Sequence, residues 1–318
     1  MQPFSRYVFP ALLAAFAAVC LYGLRGDLAL ISLAPLVRGW DLVALAAACS
    51  VLNYALRIFR WQRYLAKLGS VLPLGFVALT YVAGFAFTVS PGKVGEVARA
   101  RYYSRFGISL SHVAGAVFVE RLLDVMAMLA LAALIATTAP RYYPVMWSAG
   151  CIIVALLLAL TLSPWQRIAS ALESPPRLPR VVSRLGVGLC KALGTARSLL
   201  SPGTLLLGFV LGLAGWGLEG VGLYALGCLF PAAHLALSAG IGVYAVAVLV
   251  GALSFLPGGL GSTEAAMTAL LTTQGYSVAD ALLVTIACRI VTLWLAVLIG
   301  WIAVWVLRRQ TDAAVSWR

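Results

Sequence analysis

Long apolar runs recur along the whole chain, and they decide what its solvent must be. Val8–Leu24 carries no charged residue, and further runs follow at Asp41–Phe59, Leu110–Thr138, Val145–Leu162, Thr204–Leu229 and Val278–Leu307. A helix needs about 20 apolar residues to cross the hydrocarbon core, and lipid-exposed backbone must satisfy its hydrogen bonds within its own segment. These runs are therefore expected to be six full crossings. Alternating strand patterns are absent, which argues against a barrel. Only 10% of residues are charged and the mean hydropathy is +1.00, against roughly a quarter charged in an ordinary soluble domain. The expected fold class is an all-α polytopic membrane protein, with residues 1–318 forming a single transmembrane domain. Arg6 before an apolar run resembles a signal peptide, but Val19 before Cys20 spoils a lipoprotein-type cleavage site, so a retained first helix is expected.

Two further apolar segments, Leu72–Ser90 and Leu237–Phe255, each run into a Pro-Gly break followed by a short, more polar helical stretch. The basic clusters Arg57/Arg60/Arg63/Lys67, Arg167–Arg197 and Arg308/Arg309 should face the cytoplasm. That parity makes Leu72–Phe106 a re-entrant or broken hairpin entered from the cytoplasmic side, and Leu237–Gln274 one entered from outside. Both termini are then cytoplasmic. Residues 164–202, with Pro175-Pro176 and several arginines, read as an amphipathic cytoplasmic linker lying on the inner surface.

The formal net charge of +13 sits beside apolar spans rather than on a polar domain, so it points to anionic headgroups and not to nucleic acid. The cysteines are scattered singly, and His112 and His234 lie far apart without a second ligand at metal spacing. Neither a metal nor a cofactor is expected. No Walker-type phosphate loop is present, which excludes ATP bound by such a loop as the direct driver.

The two Pro-Gly breaks carry a duplicated pattern. The first reads Pro91-Gly92-Lys93-Val94-Gly95-Glu96, then Gly107 and Arg121; the second reads Pro257-Gly258-Gly259-Leu260-Gly261, then Glu264, Gly275 and Arg289. From Glu to Gly is 11 residues in both, and from Glu to Arg 25 in both, with a two-residue insertion before Glu264. The charge topology gives the copies opposite orientation, so inverted repeats are expected over about 41–138 and 204–307. Inverted repeats with broken helices are a transporter signature, since halves of opposite orientation can exchange roles when a site opens to either side. Pro-Gly as an ordinary surface turn is the alternative.

Charges inside apolar runs mark the candidate site. Glu120, Arg121, Asp124, Glu219, Glu264 and Arg289 each lie in such a run, where insertion costs roughly 2.5 to 3.5 kcal/mol apiece. Glu120 and Asp124 share a helix face, so a cation or a proton must sit between them. Arg121 is in reach of Asp124, and Glu264 can pair with Arg289 within its own repeat or across the pseudo-symmetry axis. These groups are either packing ion pairs, or cavity residues, or both. Glu219 has no basic neighbour in sequence and is either protonated in the packing or faces a cavity. Arg57, Arg60 and Arg63 with Trp61 read as the basic, aromatic end of the second span, which anchors headgroups or selects an anionic lipid.

Pro91–Glu96, Glu120-Arg-Leu-Leu-Asp124, and Leu256-Pro-Gly-Gly-Leu-Gly with Glu264 and Arg289 together resemble the flippase-like transmembrane family of lysylphosphatidylglycerol synthases, from roughly Asp41 to Leu307. The resemblance implies a domain that moves lipids between leaflets. It carries over to Pro91, Gly92, Gly95, Glu96, Arg99, Glu120, Arg121 and Asp124 in the first block, and Pro257, Gly258, Gly261, Glu264 and Arg289 in the second. With Arg57, Arg60, Lys93 and Glu219 these are the expected substrate-binding residues, lining a central cavity. The chain stops eleven residues after Leu307, so the cytoplasmic aminoacyl transferase that some members carry is expected to be missing and the protein not to be an enzyme. The expected cargo is a polar or anionic phospholipid, a polyprenyl-phosphate-linked lipid or a hopanoid, crossing a bacterial inner membrane. Expected partners are membrane lipids, a separately encoded lipid-modifying enzyme and, as homodimer, a second copy. The competing readings are a membrane-embedded enzyme acting on a lipid-linked substrate and a non-transporting partner of such an enzyme.

Overall fold

The computed structural model describes residues 32–88, 99–136, 143–173, 180–230 and 233–315, all helical or connecting, with no strand among them. The expected crossing Val8–Leu24 and the motif Pro91, Gly92, Lys93, Gly95, Glu96 lie outside the described residues. In chain order the helices are α1 Ala34–Arg38, α2 Trp40–Lys67, α3 Leu74–Ala83, α4 Ala100–Tyr103, α5 Leu110–Ala136, α6 Tyr143–Leu162, α7 Trp165–Glu173 and α8 Arg180–Leu199. They continue as α9 Pro202–Gly227, α10 Leu237–Leu253, α11 Ser262–Thr273, α12 Val278–Arg289 and α13 Leu295–Val315. A 3-10 turn, Gly84–Phe87, extends α3, and a π-helical turn, Ile290–Trp294, joins α12 to α13.

Three of these helices are long and apolar enough to cross a membrane: Trp40–Lys67, Pro202–Gly227 and Val278–Arg309. Gly150–Leu162 with Trp165–Leu172 forms a fourth candidate bent by 68°. Helix α5 has 27 residues, which is sufficient length, but it carries Glu120, Arg121 and Asp124 at its centre. The linker expected over 164–202 is two helices, and α8 lies along α5, with Gly115 set against the Ala192 carbonyl and Thr195.

Helix α2 corrects the reading of the second span. It does not end at Phe59 but runs on to Lys67, carrying its arginines inside the helix. Its buried positions, Ala46, Cys49, Ser50, Asn53, Tyr54, Arg60, Trp61, Tyr64 and Leu65, follow the helical period and face the protein. Arg60 and Trp61 are 1% and 0% exposed, so neither anchors a headgroup; of that cluster Arg63 and Lys67 are exposed, the Arg63 guanidinium 4.8 Å over the Phe59 ring. Buried partners, described below, draw Arg60 inward.

The centre of the fold is the seam between α2 and α9. Between helices in lipid, close packing and hydrogen bonds replace the hydrophobic drive, and small residues let backbones approach. Gly215 of α9 shows this: a Cβ there would lie 2.4 Å from Asn53 Oδ1 of α2. Helix α10 packs on α5 and α9, while α13 packs on α3 and its 3-10 extension. Between α10 and α11 the chain turns through Pro257, with Gly258, Gly259 and Gly261 at φ of 62°, 65° and 83°. That left-handed backbone is open to glycine at little cost. The Gly261 N–H donates to Glu264 Oε2 at 2.6 Å and so starts α11.

Candidate functional site: a cavity between two charged constellations

The first constellation lies where α2 crosses α5. Arg60 places one guanidinium nitrogen 2.7 Å from Asp124 Oδ1 and 3.2 Å from Glu120 Oε1, and donates to the Gly208 carbonyl of α9 at 3.3 Å. The cation required between the two carboxylates is therefore Arg60. Arg99 is 1% exposed, with its guanidinium 4.0 Å from the Tyr81 ring, 4.9 Å from the Trp61 ring and 3.8 Å from Glu120 Oε2. The Tyr81 hydroxyl donates to Glu120, and Trp61 Nε1 donates to the Tyr103 hydroxyl at 3.0 Å. Glu120 and Asp124 are 0% and 1% exposed. Truncating one partner of such a buried network costs about 3–5 kcal/mol, because the remaining charge is left without its counterion.

The second constellation is simpler. Arg289, at the end of α12, donates through Nε to Glu264 Oε1 at 2.5 Å and through a terminal nitrogen to the Gly258 carbonyl at 2.7 Å. The pair forms within its own half of the chain, and Glu264 keeps 24% of its side chain exposed. One arginine thus ties α12 to the α10–α11 turn and to the start of α11. Just beyond it the π-helical turn leaves the Thr292 carbonyl to accept from the Tyr54 hydroxyl of α2 at 2.6 Å.

Between the constellations lies a cavity of about 610 Å³. Of the expected site residues, Arg57, Arg121, Glu219, Pro257, Gly258 and Arg289 line it. Arg57 sits on the boundary: it is 3.8 Å from both Glu120 and Asp124, and its guanidinium is 5.4 Å from the Trp216 ring and 5.7 Å from the Phe85 ring. Arg121 pairs with Asp124 at 3.3 Å while keeping 27% of its side chain exposed. Arg60, Arg99, Glu120 and Asp124 stand behind this wall rather than on it, and Gly261 and Glu264 support Arg289 from behind. Glu219 accepts from Ser50 Oγ and Asn53 Nδ2, each at 2.7 Å, so it is both hydrogen-bonded in the packing and cavity-lining.

Asn53, Tyr54, Trp216, Tyr244 and Thr292 also line the cavity and were not expected there. One signal was available. Ser50, Asn53, Tyr54, Arg57 and Arg60 form a polar stripe at helical spacing on an otherwise apolar helix, which marks a face turned to protein or water. No comparable signal identifies Trp216 or Tyr244.

Apolar helices that bury paired charge around an arginine-lined cavity define a polytopic all-α membrane protein with a polar site among its helices. The chain belongs to the family described as the lysylphosphatidylglycerol synthase TM region, which it matches over residues 7–300. A UPF0104 membrane protein of Methanothermobacter thermautotrophicus is 28% identical over 276 residues, which cover 82% of this chain and 82% of the relative.

Proposed function

We propose that the protein is a lipid transporter of the flippase type, which admits an anionic headgroup to the central cavity while the acyl chains stay in lipid. The observation that carries this reading is the cavity itself: Arg57 and Arg121 reach it from the first half of the chain, Arg289 from the second. A phosphate-bearing headgroup matches guanidinium donors in charge and geometry. Glu219 lines the cavity held by Ser50 and Asn53, but the ion-paired carboxylates argue for carriage rather than catalysis, because Glu120 and Asp124 are engaged by Arg60, and Glu264 by Arg289. A general acid or base must be within reach of substrate, and these are turned to arginines.

Packing supports the inverted-repeat reading that motion between two exposures requires. If α2, α3 and α5 correspond to α9, α10 and α12–α13, a two-fold relation should pair α2 with α9, and pair α5 with α10 just as α13 pairs with α3. All three pairings are present. In this reading the protein sits in the plasma (inner) membrane, and its Lys and Arg clusters favour both termini in the cytoplasm.

Purified protein in liposomes carrying fluorescent phosphatidylglycerol and a fluorescent neutral lipid tests this. Headgroup translocation should exceed that of empty liposomes, favour the anionic lipid, and fall at least tenfold in Arg289→Gln. No translocation of either lipid, with or without a proton gradient, would remove phosphatidylglycerol and the neutral probe as cargo, and a chemically altered lipid would replace transport with catalysis.

A further inference from the structure

We propose that Glu219 is a proton-binding site of the cavity, and that its charge decides whether an anionic headgroup is admitted. The inference rests on the transport reading above and deepens it. Glu219 lies on α9 at the seam with α2, is 3% exposed, and lines the cavity. Glu120 and Asp124, equally buried, each face an arginine; among the described residues Glu219 has no ion-pair partner. Its two oxygens are held instead by neutral donors, Ser50 Oγ and Asn53 Nδ2.

Those donors suit a carboxyl group in either charge state. A serine hydroxyl donates to a carboxylate and accepts from a carboxylic acid, so Ser50 keeps its bond through protonation. Asn53 holds a second group in reserve: among the described residues its buried Oδ1 has no hydrogen-bond partner, and turning the amide over offers an acceptor to the acid. Among the described residues, the titratable and charged groups facing Glu219 are Cys49, Tyr54 and Arg57 on α2, Tyr244 on α10, and Cys288 on α12. Of these only arginine carries charge near neutrality, and Arg57 is shared with Glu120 and Asp124 at 3.8 Å. A carboxylate here opposes an anion arriving between Arg57 and Arg289; a carboxylic acid does not. Headgroup and proton therefore favour one another's binding, and by linkage the effect is reciprocal.

Infrared difference spectroscopy of the reconstituted protein reads a protonated carboxyl through its carbonyl band, and an indicator dye in weak buffer counts protons when short-chain phosphatidylglycerol is added. A carboxylic-acid band that grows as the pH falls is expected in the wild type, absent from Glu219→Gln and displaced in frequency in Ser50→Ala, which removes one partner. Uptake of at most one proton per lipid bound, measured at a pH where the band shows Glu219 still ionised, follows from the linkage and should fall at least tenfold in Glu219→Gln. A missing band, a band indifferent to Ser50→Ala, or lipid binding without proton uptake overturns the proposal. A titrating Glu219 in a protein that neither binds nor moves the probe lipid keeps the proton site and brings down the transport reading, so the two failures are separable.

Discussion

The two halves of the molecule handle an intramembrane arginine in opposite ways. Arg60 is 1% exposed and shared between Glu120 and Asp124, backed by Tyr81 and Arg99; Arg289 holds Glu264 and one carbonyl while facing the cavity. The first arrangement is a lock, since none of its charges can leave without exposing another. The second is a latch, because an anion in the cavity can compete with Glu264 for Arg289 without uncovering a sealed charge. The largest effect should therefore fall on a residue behind the cavity wall rather than on it. Arg60→Met removes the guanidinium nearest both carboxylates and leaves them to Arg57, Arg99 and Arg121 at 3.3–3.8 Å, and a loss approaching that of a broken buried pair, about 3–5 kcal/mol, should appear as a sharply lowered Tm and poor recovery of monodisperse protein. A wild-type Tm in Arg60→Met would break the contrast.

Arg289→Gln sharpens it from the other side. It removes the charge-assisted contacts to Glu264 and the Gly258 carbonyl from a half-open pair, so about 1–3 kcal/mol is at stake, less than for Arg60. Transport should nevertheless suffer more than stability, with headgroup translocation down at least tenfold while Tm falls only a few degrees. Arg289→Lys should not rescue it, since a lysine ammonium lacks the fork that reaches Glu264 and the Gly258 carbonyl together. Rescue by lysine would mean that charge alone is needed there, and the latch would lose its geometry.

Much of this contrast was hidden in the sequence, for a physical reason. Apolar runs locate helices because span length and lipid solvation are local properties, and the helices at Pro202–Gly227 and Leu237–Leu253 begin and end within two residues of the expected bounds. The pairing of Glu264 with Arg289 was also within reach, as both lie in one repeat at a fixed spacing. The second span was misread because arginines after an apolar run usually meet headgroups, whereas Arg60 meets Glu120 sixty positions later in the chain. Glu219 stayed undecided because its partners, Ser50 and Asn53, are neutral residues on another helix. Hydropathy and charge patterns record what a residue is, and the partner that fixes its role is supplied by packing.

The smallest effect compares two left-handed glycines, one from each half. Gly107 precedes α5 at φ 75°, and Gly258 stands in the α10–α11 turn at φ 62°, so each holds a left-handed backbone that an L side chain resists. Alanine should cost about 1–2 kcal/mol at either site from backbone strain alone. At Gly107 a Cβ would meet nothing within 4 Å, so Gly107→Ala should lower Tm and leave translocation per folded molecule unchanged. The Gly258 carbonyl accepts from Arg289, so strain in that peptide moves the latch as well as the turn. Gly258→Ala should match Gly107→Ala in Tm but reduce translocation several-fold. Equal losses of translocation would show that both turns serve the fold alone, and that the second half has no special claim to the moving part.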